Sequence, residues 1–249
     1  MRTGLQTADR QPRREQGTRP KCLTCRASPP ACPFAELALE VRGERRAIVP
    51  ARVRLWVNPS AEGYGICRGV VQVDRLTREG QRLADLLGPG DLLGLEGLLT
   101  PASASASKAV VEVYTLTEVV LLRFRREDLL EGLNYPPFRD HLLRRLGEAL
   151  ERWQRRCERA CYGGVRDRLI AELLELARRF GTWRDGQLWI PLPLRKHHLE
   201  RLVGAGHTRV TVERRRLEED GLLRFGKEGI GLPDPARLAR MLGDEEISV

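Results

Sequence analysis

The sequence predicts an α+β chain in three parts: an N-terminal antiparallel jelly-roll barrel, one long helix, and a C-terminal winged helix-turn-helix. Three observations carry this reading. From about Val53 to Phe124, short apolar bursts are split by Gly, Pro and Asp, the spacing of a small barrel or jelly roll. A helical pattern then runs from Phe138 to about Tyr162 and stops at Gly163-Gly164. Helix, Gly-containing turn, basic helix and hairpin follow between Arg195 and Leu232, the order of a winged helix-turn-helix.

Within the barrel region Tyr64–Val73 reads as a strand and Thr77–Gly80 as a turn. Leu83–Leu87 follows, closed by Gly88-Pro89-Gly90-Asp91, and Ala109–Leu116 and Val119–Phe124 are two further strands. Ser103–Ser107 reads as a flexible loop. In the long helix Leu143, Leu146, Leu150, Trp153, Cys157 and Ala160 recur at alternating spacings of 3 and 4. That is a heptad seam for a second helix, or the packed face of an amphipathic helix on its own domain. A second helix spans Val165–Phe180 and leads to Leu188–Pro193. Arg195–Val203, the turn at Gly204-Ala205-Gly206, the helix His207–Glu219, and a hairpin around Gly226–Gly229 complete the chain.

The 249 residues, 41% hydrophobic and 31% charged, are globular in balance. No apolar run approaches the roughly 18 residues that cross a bilayer, and no apolar leader opens the chain, so the expected compartment is the cytoplasm and no membrane partner is expected. The net charge of +9 is concentrated. Residues 1–21 hold six Lys/Arg against two Asp/Glu, and residues 195–216 hold seven against two. The first stretch is expected to be a disordered basic tail. The second lies on the helix-turn-helix, whose second helix places its N-terminal residues at base edges in the major groove. A polyanionic partner, double-stranded DNA, follows, with His207, Thr208, Arg209, Thr211, Arg214 and Arg215 as the candidate contacts. A solvated helix face is the plainer account of Arg214-Arg215-Arg216.

The order of these parts resembles the CRP/FNR family of bacterial transcription regulators, from about Pro33 to Leu242. The residues that carry the resemblance are Gly69–Val73, Gly88–Gly94, Phe124–Leu129, Leu199–Gly204 and Leu217–Leu223. It implies a cyclic-nucleotide-binding-like barrel and a homodimer through the 138–162 helix, with the seam Leu143, Leu146, Leu150, Trp153 and Cys157. It further implies a pseudo-palindromic operator and RNA polymerase as a partner. The domains expected are 1–21 basic tail, 22–137 cysteine segment and barrel, 138–163 dimer helix, and 164–249 DNA-binding domain. Two departures stand out. Nucleotide-binding members carry a Gly-Glu-Leu loop and a following Arg; here the loop reads Gly94-Leu95-Glu96-Gly97, with no Arg between Arg82 and Arg123. That argues against cyclic nucleotide. The recognition helix also lacks the family's usual Glu. An ungapped fit puts His207–Val212 on the reading positions and keeps Gly204, Val210 and Leu217 in packing roles; a shifted fit from Thr208 matches better by letter but needs a longer turn. Arg209 is the candidate for bidentate guanine contact.

Six cysteines remain to be placed. Cys22, Cys25 and Cys32 sit within one short segment, so their thiolates can wrap one metal centre. The segment resembles the N-terminal cluster of the oxygen-responsive FNR branch, which implies a [4Fe–4S] cofactor and sensing of oxygen, nitric oxide or redox state. The family's fourth ligand falls at Leu121 or Leu122. Cys67 lies on a strand that the family's barrel runs beside that one, and is the candidate replacement; a buried inert thiol is the alternative. Four thiolates equally suit structural zinc, and a regulator with no ligand is a further reading. Cys157 and Cys161 are read as helix packing, with an interchain disulfide or a place in the metal cluster as the sharper options. An enzyme is not expected. A thiol–disulfide oxidoreductase using Cys22 and Cys25 would need a thioredoxin-like βαβ context that the Pro-rich segment lacks.

Overall fold

A computed structural model describes residues 34, 46–55, 62–76, 82–99 and 111–243. The expected basic tail, the turn at Thr77–Gly80, the loop at Ser103–Ser107, and Cys22, Cys25 and Cys32 fall outside the described residues. Contacts divide the chain into two compact units. One holds the residues up to Val73 with Leu86–Leu146, and the other holds Asp74–Asp85 with Gly147–Val249.

The strands before the long helix are β1 (Arg46–Val49), β2 (Arg54–Leu55), β3 (Glu62–Arg68), β4 (Val71–Leu76), β5 (Arg82–Leu87), β6 (Leu92–Leu93), β7 (Val111–Thr115) and β8 (Val119–Arg125). They form two four-stranded sheets, in the orders β1-β8-β3-β6 and β2-β7-β4-β5. Val49, Tyr64, Ile66, Leu93, Val119 and Leu121 from the first sheet meet Leu55, Val71, Val73 and Val113 from the second in one core. Strand β8 pairs antiparallel with β1 on one edge and β3 on the other. It also has both faces covered. Leu121 points to the core between the sheets, while Leu122 and Phe124 meet the short helix α1 (Leu95–Leu99), α2 (Arg126–Gly132) and the start of α3 (Pro136–Tyr162). This double burial is why Val119–Phe124 reads as a continuous apolar run rather than an alternating one.

The single strand expected over Tyr64–Val73 is two strands in different sheets. Gly69 breaks it at φ +83°, where an added Cβ would lie 2.1 Å from the carbonyl oxygen of Glu118. Only glycine tolerates that conformation beside that backbone. The turn Gly88–Asp91 is fastened to α3. Gly88 N–H donates to Asp91 Oδ2 at 2.7 Å, Arg145 meets Asp91 Oδ1 at 2.7 Å, and His141 Nε2–H donates to the Gly90 carbonyl at 2.7 Å. The ring of His141 is held neutral, because burial lowers its pKa more than the Gly90 bond raises it.

Helix α3 starts two residues before the expected Phe138, at Pro136, a residue suited to a first helical turn. Phe138 and Leu142 are buried against the barrel helices, whereas Leu143, Leu146 and Leu150 are 59%, 39% and 62% exposed.

In the second unit α4 (Val165–Phe180) matches its expected span, and α5 (Lys196–Val203), α6 (His207–Glu219) and α7 (Pro235–Met241) pack on it. Its small sheet has the order β11-β12-β10-β9, from Arg224–Phe225, Ile230–Leu232, Gln187–Ile190 and Thr182–Arg184. The β9–β10 hairpin was not anticipated. Its signal is Asp185-Gly186, both at positive φ, the dipeptide of a tight two-residue turn. Helix α7 is capped by Asp234, whose side chain accepts from Arg237 N–H at 2.8 Å.

One buried ion pair organises this unit. Arg156 on α3 forks onto Glu172 of α4 at 2.7 and 2.6 Å, and also reaches the Ala84 carbonyl and Asp85 on β5. Burial pushes the Glu172 carboxyl up while Arg156 pulls it down, and the two-pronged contact keeps Arg156 charged. Arg156→Leu is therefore expected to destabilise the protein by about 3–5 kcal/mol in urea unfolding, because it strands a buried carboxylate. Replacing both partners by leucine should recover most of that loss.

Candidate nucleic-acid interface

The helix-turn-helix is set by a short list of residues. Leu199, Leu202 and Val203 bury one face of α5. Gly204 then turns the chain in the left-handed region, at φ 64° and ψ 42°, which a residue with a Cβ adopts at a cost. Helix α6 buries Val210, Arg214 and Leu217, spaced for a single helix face. This fixes its rotation, and His207, Thr208 and Arg209 come out exposed in succession at its N-terminus, with Thr211 half-buried and Arg215 exposed. Val210 and Leu217 thus occupy the packing positions that the ungapped register requires.

Arg214 departs from the DNA-contact role expected of it. It is 8% exposed, its guanidinium bonds Glu218 at 2.6 Å, and it lies over the Phe225 ring at 5.2 Å. The side chain joins α6 to the wing hairpin from inside, so its charge is spent there rather than offered to phosphate. Arg216 pairs with Glu213 at 2.7 Å on the outer surface.

Two residues near the turn escaped the sequence reading. Arg168 on α4 lines a shallow concavity of about 390 Å³ together with the run 204–209, and its Nη1 donates to the Gly204 carbonyl at 3.5 Å. Glu200 on α5 meets His207 Nδ1. Neither contact has a signal in local periodicity, since each joins different helices through the turn.

His198 is turned back onto the start of its own helix. Its Nδ1 accepts from the Arg195 N–H at 2.7 Å, satisfying an open donor at the start of α5. Burial above all, then His197, Arg201 and Arg195, lowers its pKa to about 4.

The expected metal and seam residues are placed as follows. Cys67 is half-buried on β3 and packs against the cluster that contains Phe34, Leu122 and Phe124. It sits at a bulge: Ile66 faces Leu121 and Arg68 faces Val120, leaving Cys67 as the additional residue. Among the described residues no group of three or more His, Cys, Asp or Glu converges as a metal site, and Cys22, Cys25 and Cys32 lie outside them. Leu143, Leu146 and Leu150 form an open apolar stripe on α3. Trp153 and Cys157 line a cavity of about 190 Å³ with Leu83, Ala84 and Leu202. Cys161 is exposed. Among the described residues no helix is long and apolar enough to cross a membrane.

A barrel, a long helix and a winged helix-turn-helix with an exposed reading edge make up a DNA-binding regulator. Comparisons with known proteins agree. Residues 58–135 match the family described as cyclic nucleotide-binding domain, and residues 167–241 the Crp-like helix-turn-helix domain. The chain is 32% identical over 182 residues to the cyclic AMP receptor protein of Thermus thermophilus, covering 70% of this chain and 76% of that one. It is 28% identical over 184 residues to the CRP-like cAMP-activated global transcriptional regulator of Mycobacterium tuberculosis, with 73% and 80% covered. Among solved structures, a CRP/FNR-family regulator from Thermus thermophilus aligns over 80% of this chain and 98% of its own at 24% identity and a TM-score of 0.61. FixK2 from Bradyrhizobium japonicum aligns over 78% and 95% at 20% identity, also with a TM-score of 0.61. The chain belongs to the CRP/FNR family of transcription regulators. Regulators of this family bind DNA and typically dimerise; the family is not one of enzymes.

A stability consequence follows from His198. Its folded pKa is about 4, below the unfolded value near 6.5, so the unfolded chain binds more protons between those limits. Stability is complete above about pH 6.5 and is lost as pH falls toward 4. His198→Asn, which keeps an acceptor but does not titrate, should show a flatter melting temperature across that window.

Proposed function

We propose that this regulator acts as a homodimer on a pseudo-palindromic operator, with His207, Thr208, Arg209 and Thr211 at base edges and Arg215 on phosphate, and that it takes its signal through thiolate-bound metal. The observation that supports the DNA reading is the consecutive exposure of His207, Thr208 and Arg209 on a helix whose other face is locked by Val210 and Leu217. Two such helices lie about one DNA turn apart in a two-fold dimer, which makes the operator symmetric. RNA polymerase is the further partner that transcriptional output requires.

The stripe Leu143, Leu146 and Leu150 supports the dimer reading. Three leucines open on one face of a long helix expose apolar area that a second copy removes from water. Leu143→Glu with Leu150→Glu is expected to convert the protein to monomers in sedimentation velocity and to abolish specific binding. A dimer unchanged by both substitutions would take the stripe out of the interface.

The sensor reading rests on Phe34. It is 2% exposed, and its ring lies against Gly65 of β3, where an added Cβ would be 3.0 Å away. Phe34 is therefore buried in the same cluster that Cys67 packs against. Cys32 precedes it by two residues, a stretch that spans at most about 7 Å. Cys22, Cys25, Cys32 and Cys67 are the residues that would hold an iron–sulfur centre. Such a centre supplies reactivity toward oxygen, nitric oxide or a change of redox state. The relatives named for cyclic AMP offer a second reading, but the loop after β6 lacks the arginine that would meet a cyclic phosphate. Protein purified without oxygen is expected to contain iron and sulfide in equal amounts, both lost in Cys67→Ser. Zinc without sulfide would instead make the site structural, and neither element would leave a regulator without ligand.

A further inference from the structure

His207 is the first residue of α6 and the first side chain that the proposed operator reading brings to a base edge. Its ring is mostly exposed, with 64% of the side chain open. Nδ1, however, is turned inward onto Oε1 of Glu200, seven residues earlier on α5. Glu200 is itself mostly covered, with 21% of its side chain exposed. A carboxylate accepts hydrogen bonds and donates none, so Nδ1 must carry the hydrogen in this contact. In the neutral ring Nε2 then carries no hydrogen, and it lies across the ring from the Glu200 contact. The other charged side chains lining the same concavity are Arg168 from α4 and Arg209 from α6, and neither makes a hydrogen bond to the ring among the bonds described.

We infer that Glu200 is a positioning residue that fixes His207 as a hydrogen-bond acceptor in the major groove, so that this side chain selects a base offering an amino hydrogen. Those bases are cytosine, through N4, and adenine, through N6; guanine presents only N7 and O6, both acceptors, and thymine an acceptor and a methyl group. The inference rests on the operator reading above and adds the class of base that this position takes. It also runs against what charge alone indicates, since a histidine in a basic stretch invites a phosphate or guanine assignment.

The test uses the full-length protein and a pool of random-sequence DNA duplexes at pH 8. The preferred operator is recovered, and all four base pairs are then compared at each position by competition. His207→Ala should flatten a preference for cytosine or adenine at one symmetry-related pair of positions, a preference of about fivefold or more. Glu200→Gln should flatten the same pair, because its amide can donate as well as accept and so releases the ring to either tautomer. Thermal unfolding identifies a variant that has merely lost its fold. His207→Gln gives an independent readout, since its amide meets adenine with two bonds without help from Glu200; preference should move to adenine, and adding Glu200→Gln should no longer change it. A guanine preference at the pair lost in His207→Ala would overturn the inference, as would unchanged selectivity in a folded Glu200→Gln protein. Recovery of no preferred sequence would overturn the operator reading beneath it, and this inference with it.

Discussion

The guanidinium of Arg156 is the constraint on which the second unit depends. It lies near the end of a 27-residue helix and is shared among Glu172 on α4 and the Ala84 carbonyl and Asp85 on β5. Arg179, also on α4, meets Asp85 as well, at 3.8 Å. Ion pairs of this depth add little net stability, because desolvation offsets most of the attraction. They do disfavour alternatives, since any packing that separated the partners would leave Glu172, itself buried, without its counter-charge. Helix α4, oriented in this way, is the surface on which α5, α6 and α7 pack, so the exposed start of α6 depends on how α4 is held.

Helix α3 carries a second arginine of the same kind. Arg145 precedes Arg156 by eleven residues, about three turns, so the two lie on one face, along with Phe138. One is committed to Asp91 and the other to Glu172. The open leucines Leu143, Leu146 and Leu150 point away from that face. The helix therefore separates attachment from exposure by periodicity alone: one face is committed within the protomer and the other is left apolar and uncovered.

Much of this was legible in the sequence, and the failures have physical causes. Val165–Phe180 and His207–Glu219 were readable to the residue because glycines flank both helices and their apolar spacing is regular. The strand over Tyr64–Val73 was read as one because apolar content continues across Gly69, while the break depends on an oxygen of Glu118 forty-nine residues away. Three consecutive arginines look alike in a sequence, so Arg214 is not distinguishable there from a DNA contact. Only the position of Phe225 and the rotation of α6 distinguish the one that turns inward. Glu200 was invisible for a related reason: its importance lies in which nitrogen of His207 it touches, and composition does not encode a tautomer. The cysteine spacing is visible in the sequence, whereas the burial of Phe34 is a property of tertiary packing.

The bulge on β3 has a consequence for how such a barrel can diversify. Leu121 and Val120 are consecutive on β8, but their partners Ile66 and Arg68 flank Cys67, the additional residue of the bulge. On β8 itself a new side chain would have to displace Leu121 from one core or Leu122 from the other. At the bulge, a residue can change identity without shifting the strand register, and it meets only the margin of the Phe34, Leu122 and Phe124 cluster. Side-chain chemistry at this point of the strand is thereby separated from the pairing that holds the sheet together.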